Sequence, residues 1–139
     1  MMPEGTTVLI MAAGTGGHIF PALSIAEKLR LKGVKTNWLG TAQGMENQLL
    51  EDSDITLHAI SVKGVKGKGV IRLLVAPFMI LIATIQAMRV ISRIKPNCVL
   101  GMGGFVSGPG GLATKIMGKR LLIHEQNAVA GFTNRVLSI

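Results

Sequence analysis

Cysteine is almost missing from this sequence: Cys98 stands alone among 139 residues. No disulfide framework can hold such a chain, and a lone thiol fits a reducing compartment. Tyrosine is absent, and four Phe with Trp38 complete the aromatic set. That is too few for the stacking platforms of single-stranded nucleic-acid binders. The N-terminus lacks a basic segment, and its apolar run is short and broken by Gly14-Thr15-Gly16-Gly17. It reads as a strand and not as a signal peptide, so a cytoplasmic location is expected. Acidic residues are missing from Ile55 through His124, a stretch that holds ten Lys or Arg.

What is present bounds the answer further. Hydrophobic residues make up 48% of the chain, enough for the core of one domain and too many for a disordered segment. The net charge is +8, and all of the excess lies in the acid-free block, since the rest carries five basic residues against seven acidic ones. Such asymmetry suggests an anionic partner, whether a phosphorylated ligand, a membrane surface or nucleic acid; a solvated basic face is the plainer alternative.

Strand and helix patterns alternate along the chain. Thr7–Ala12 is an unbroken apolar run of the kind that fills a buried parallel strand. His18–Leu31 follows as a helix, with Gly33 placed to cap it. Lys35–Leu39 reads as a strand, Met45–Asp52 as a short helix and Ile55–Val62 as a strand. A basic, glycine-rich loop, 63–69, leads into a long helix from Val70 to Ile94 that Lys95-Pro96 ends. Asn97–Leu100 reads as a strand and Gly101–Gly111 as a second glycine-rich loop. A short helix to Met117, a strand over Leu121–His124 and a helix from Gly131 to Ile139 complete the pattern. The predicted fold is a Rossmann-like α/β domain, a parallel sheet with helices on both faces, whose ligands bind at the carboxyl ends of the strands.

Both glycine loops fall at such ends. Gly14-Thr15-Gly16-Gly17-His18 joins a strand to a helix, where the N–H groups that open the helix and the helix dipole favour an anion such as pyrophosphate. It is neither a dinucleotide fingerprint, because Ile19 replaces the third glycine, nor a Walker loop. A tight turn that only packs helix on strand is the alternative. Gly101–Gly111 holds six glycines and Ser107, and two such loops facing one cleft suit a diphosphate or two ligands. His18 lies in the first helical turn, where a neutral imidazole can serve as a general base; a cap or a phosphate-contacting donor is the alternative. His124-Glu125-Gln126-Asn127 places four polar residues at another strand end, suited to sugar or pyrophosphate. Asp52-Ser53-Asp54 has the spacing of a metal-binding pair but closes a helix before a strand, so a solvated turn is expected and no metal site.

The long helix is apolar all round. Leu73–Met88 is sixteen uncharged residues, short of the ~20 that span a bilayer. Ile71, Leu74, Phe78, Ile82 and Ile85 share one face. With Lys63, Lys66, Lys68 and Arg72 beside them they are expected to meet an anionic membrane interface; burial against another domain or subunit is the alternative.

Taken together, Gly14–Ala22, Trp38-Leu39-Gly40-Thr41, Gly101–Gly111, His124–Asn127, Ala130-Gly131 and Thr133-Asn134 make the chain resemble the N-terminal half of the peptidoglycan N-acetylglucosaminyltransferases. That resemblance implies the N-terminal half of an inverting GT-B glycosyltransferase, peripheral on the cytoplasmic face of the bacterial inner membrane. It transfers N-acetylglucosamine from UDP-N-acetylglucosamine to the 4-hydroxyl of the N-acetylmuramoyl group of lipid I, giving lipid II for cell wall synthesis. It implies donor contacts at Thr15, Gly16, Gly17 and Asn127, a catalytic base at His18, and acceptor-pyrophosphate contacts at Gly14, Gly103, Gly104, Ser107, Gly108, Gly110, Gly111 and Glu125. It implies no required cofactor, with magnesium at most an accessory, and no nucleic-acid partner. Residues 1–139 would be the acceptor-binding domain, with the donor-binding domain outside the sequence, and the chain alone is expected not to turn over. A related transferase acting on another lipid acceptor and a non-enzymatic basic membrane module are the competing readings.

Overall fold

A computed structural model of the chain describes residues 3–14, 16–61, 69–124 and 137–138. Five strands form one parallel sheet: β1 (Thr7–Ala12), β2 (Lys35–Thr41), β3 (Thr56–Ile60), β4 (Cys98–Gly103) and β5 (Leu121–Ile123). Their spatial order is β3-β2-β1-β4-β5. The connecting helices are α1 (Gly16–Leu31), α2 (Met45–Leu50), α3 (Val70–Ile94) and α4 (Ser107–Ile116). The expected Rossmann-like architecture is therefore present.

The apolar run of β1 is explained by its central place, buried on both faces. Alternate residues feed two cores. Val8, Ile10 and Ala12 join Ile19, Ala22, Ala26 and Trp38 on the α1–α2 side. Leu9 and Met11 join Leu39, Ala87, Ile91, Val99 and Ala113 on the α3–α4 side. Gly33 ends α1 as expected: it takes a φ of +79°, its N–H bonds the Arg30 carbonyl at 2.9 Å, and the Val34 N–H bonds Leu29 at 3.0 Å. This is the Schellman pattern, which satisfies carbonyls a helix end leaves open. Lys95 closes α3 in the left-handed region, its N–H on the Ile91 carbonyl, and Pro96 prevents continuation.

α3 is far longer than the sheet needs. Its 25 residues span about 37 Å at ~1.5 Å per residue, whereas a strand of six residues covers only about 20 Å. The buried residues, Ala83, Thr84, Ala87, Val90 and Ile91, all belong to the C-terminal half. The N-terminal half leaves Ile71, Leu74, Phe78 and Ile82 exposed on the expected face, and Leu73, Ile80 and Leu81 exposed on the others. By length and composition alone, α3 is also long and apolar enough to cross a membrane, which the count of uncharged residues did not suggest.

Candidate functional site

The strand order reverses between β1 and β4, which lie side by side. α1 leaves β1 toward one face and α4 leaves β4 toward the other. A crevice opens at such a reversal, outside the carboxyl ends of the strands. The two glycine segments are the chain's own exits from these two strands, so the topology brings them together.

Their contact is close enough to require glycine. Gly104 has a φ of +89°, and a Cβ there would run into the backbone of Ala13, 2.8 Å from its carbonyl carbon. Gly103 has a φ of +119°, and a Cβ there would lie 2.7 Å from Cε1 of His18. The His18 imidazole, in the first turn of α1, thus rests its Nδ1–Cε1 edge on the bare backbone at the end of β4. Any side chain at 103 would displace it.

The second glycine segment is much shorter as a loop than the sequence suggested. Residues 101–103 continue β4, and α4 begins at Ser107, so only 104–106 connect them. Six glycines read as a long turn, but three of them are helical. Gly110 is buried, and a Cβ there would sit 3.0 Å from Leu39 Cδ2; at Gly111 it would meet Leu137 Cδ1 at 2.5 Å. These two glycines let α4 lie close on the core, which revises their expected place among ligand contacts. Ser107 is fully buried. Its hydroxyl accepts the Gly103 N–H at 3.1 Å and reaches the Met11 carbonyl at 3.5 Å. It ties β4 to β1 from below and presents nothing to a ligand. Gly108 is half-buried in the first turn of α4.

Among the described residues around the crevice, Gly14, Gly17, Phe20 and Phe105 face solvent, and Gly16, His18 and Gly104 are half-buried. Thr15, Glu125 and Asn127 lie outside the described residues, as do Lys63, Lys66 and Lys68 and, of the helix expected over 131–139, all but residues 137–138. Arg72 is exposed beside the apolar half of α3. Asp54 pairs with Arg30 at 2.5 Å, which suits the expected solvated turn. Among the described residues no three His, Cys, Asp or Glu side chains come together as a metal-ligand set.

Three residues to which the sequence reading gave no part in the site shape this edge. Phe105, at the tip of the β4–α4 connection, is 72% exposed. Trp38 is wholly buried and donates its indole N–H to the Ala12 carbonyl at 2.8 Å. Glu46 is also wholly buried; its Oε1 accepts the Thr41 N–H at 2.7 Å and the Thr41 hydroxyl at 2.9 Å. Its Oε2 has no partner among the described residues. The signal for Glu46 was the flanking pair Gly40 and Gly44, at either of which a Cβ would collide with the carboxylate.

Two groups with displaced pKa values lie away from the crevice. Burial lowers that of His58 on β3 below 6.5, and the nearby Arg93 charge adds to the effect. Its Nε2 lies 3.2 Å from Asn37 Oδ1. Burial raises that of the Cys98 thiol, at the opposite end of β4, against a smaller opposing effect of Arg120.

Residues 8–139 match the glycosyltransferase family 28 N-terminal domain. The chain is 56% identical over 131 residues to a Pseudomonas savastanoi protein named UDP-N-acetylglucosamine–N-acetylmuramyl-(pentapeptide) pyrophosphoryl-undecaprenol N-acetylglucosamine transferase. That alignment covers 94% of this chain and 37% of the relative, so the chain spans little over a third of the relative's length. The crystal structure of Acinetobacter baumannii MurG superposes with a TM-score of 0.85 at 56% identity, covering 96% of this chain and 38% of that one. The UDP-GlcNAc 2-epimerase of Methanocaldococcus jannaschii, 18% identical with a TM-score of 0.66 over 96% of this chain and 36% of its own, shares the fold alone.

Proposed function

The chain belongs to the glycosyltransferase family 28 N-terminal domain family, and from that premise we propose that it forms the acceptor-side half of an inverting N-acetylglucosaminyltransferase. The proposed reaction moves N-acetylglucosamine from UDP-N-acetylglucosamine to the 4-hydroxyl of the N-acetylmuramoyl group of lipid I, yielding lipid II. The observation that carries this reading is the seating of His18 on the Gly103 backbone. It fixes a titratable ring where the exits of β1 and β4 meet. The names of relatives 56% identical to this chain support the choice of substrates.

The chemistry follows from those positions. The sugar hydroxyl is a weak nucleophile at neutral pH. Its proton passes to the His18 imidazole as the oxygen attacks the anomeric carbon from the face opposite the departing UDP, so the configuration inverts. A base held in place contributes typically 10²–10⁴-fold to such a step. The N–H groups opening α1 and the chain at Gly104 offer dipoles to the diphosphate groups. Thr15, Gly16, Gly17 and Asn127 are proposed on the donor side, and Gly14, Gly103, Gly104, Gly108 and Glu125 on the acceptor side. Ser107, Gly110 and Gly111 serve this site through packing. No step asks a metal of this chain's residues.

The membrane reading belongs to the same proposal. The exposed apolar half of α3, with Arg72 and the lysines at 63, 66 and 68, would lie in the interface of the anionic cytoplasmic leaflet. On this reading the protein sits peripherally where a lipid-linked acceptor is found.

The decisive experiment replaces His18 by Ala in a full-length protein carrying this sequence and follows transfer of labelled N-acetylglucosamine to lipid I. The expected result is a kcat lower by about 10²–10⁴-fold with acceptor binding retained. Undiminished turnover would remove the base role, and no transfer by the parent protein would remove the reaction itself.

A further inference from the structure

The carboxyl edge of the sheet is where backbone pairing gives out and side chains take over. β1 pairs with β4 in regular register until Met11, opposite Gly101; the next residue, Ala12, lies opposite Gly103. One residue of β4 is extra at that step, the arrangement of a bulge, which disrupts the ladder locally and re-aims the chain. Pairing of β1 with β2 ends one residue earlier, at Met11 opposite Leu39. Ala12 is thus the last residue of β1, beyond its β2 register and beside a bulge, and the first glycine loop starts two residues on, at Gly14. Its carbonyl is held by a side chain, the indole N–H of Trp38 at 2.8 Å.

We propose that Trp38 is a positioning residue for the transfer reaction: its indole N–H pins the end of β1, and through it the first turn of α1 that carries His18. This rests on the functional reading above and extends it to a residue that touches no substrate. Trp38 suits the task for two reasons. Its ring is wholly buried in the core on the α1–α2 side, with Ile19, Ala22 and Ala26 of α1, so its own position is fixed by the helix it helps to place. Its N–H is a donor only and cannot turn to another role. A brace that is rigid on one side and bonded on the other holds His18 against Gly103 within the narrow tolerance that proton transfer needs.

The test separates this brace from general stability. Trp38 is the only tryptophan in the sequence, so biosynthetic replacement of tryptophan by 3-benzothienylalanine in this chain keeps the shape and deletes one N–H. Trp38→Phe is the genetic counterpart. Leu50→Ala, in the same core and away from the loop, is the control for lost stability. Hydrogen exchange is expected to quicken at least 10-fold in the Ala13–Ile19 peptide of the isostere, and to leave β3 and α2 as they were. In a full-length protein carrying the sequence, Trp38→Phe is expected to lower kcat 5- to 20-fold with the lipid I KM within 2-fold, while Leu50→Ala leaves kcat unchanged.

Unchanged exchange at the loop, or quickening spread evenly as in Leu50→Ala, overturns the brace. Quickened exchange with kcat unaltered overturns its part in the reaction and leaves the transferase reading standing. A parent protein without transfer activity defeats the functional reading and the brace's catalytic part together. The exchange pattern still decides whether the indole holds the loop.

Discussion

Substituting Gly104 by Ala measures how tightly the two loops press together. Two costs combine at that position. The φ of +89° is a region where a side chain costs about 1–2 kcal/mol. The new Cβ also enters the backbone of Ala13, which cannot swing away as a side-chain tip would, and forced overlap of this kind costs about 1–3 kcal/mol. The sum is about 3 kcal/mol. A domain of this size loses about 3–5 °C of melting temperature per kcal/mol, so a drop of about 12 °C is expected. Gly118 supplies the control, since its φ is +66° and nothing lies within 4 Å of its Cβ direction. Gly118→Ala carries the conformational cost alone, about 1 kcal/mol or about 4 °C. Thermal melts of both variants, followed by circular dichroism at one pH, give the difference directly. If the two fall within 2 °C of each other, the loops do not meet as described, and the seat of His18 loses its basis.

Three further outcomes are expected. Because His58 binds its proton less readily when folded, the unfolded chain holds more protons below pH 6.5; stability therefore falls as pH drops through that value and levels off below the folded pKa, and urea titrations of His58→Gln should lack this slope. Glu46→Ala leaves the Thr41 N–H without its acceptor and opens a buried void, so denaturation should show a loss of about 3 kcal/mol, and an unchanged midpoint would contradict the burial of this carboxylate. Leu74→Glu with Phe78→Glu, both at exposed positions, should leave the melting temperature within 2 °C yet cut sedimentation with vesicles rich in anionic lipid at least 5-fold, and undiminished binding would rule out this part of α3 as the membrane contact.

The parts of the fold legible in the sequence are those written in local signals. β1 announced itself because a strand buried on both faces must be apolar throughout, and α1 and α3 because Gly33 and Lys95-Pro96 mark their ends chemically. The second glycine segment misled because glycine count is ambiguous. Gly103 and Gly104 are there for backbone conformation, while Gly110 and Gly111 are there for the closeness of a helix to a core whose other members, Leu39 and Leu137, are remote in sequence. The pairing of the two loops was anticipated from their places at strand ends. The seat of His18 on Gly103 was not, since it depends on a φ of +119° at a residue 85 positions away. The roles of Trp38 and Glu46 were not legible for a related reason: each acts through a backbone group of another turn or strand, and a hydrogen bond of that kind leaves no periodicity to read.

The overshoot of α3 sets a length. Gln86 of α3 accepts the Ser61 N–H at 2.6 Å, just past the carboxyl end of β3, so the free half that precedes it lies at the same end of the sheet as the glycine crevice. Residues 70–82 precede its first buried residue, Ala83, and thirteen residues at ~1.5 Å each make an outrigger about 20 Å long. An outrigger of fixed length is also a depth gauge. Whatever grips its tip holds the crevice at one standoff from that surface, and inserting or deleting a helical turn in this half would raise or lower the crevice by about 5 Å without touching a residue inside it.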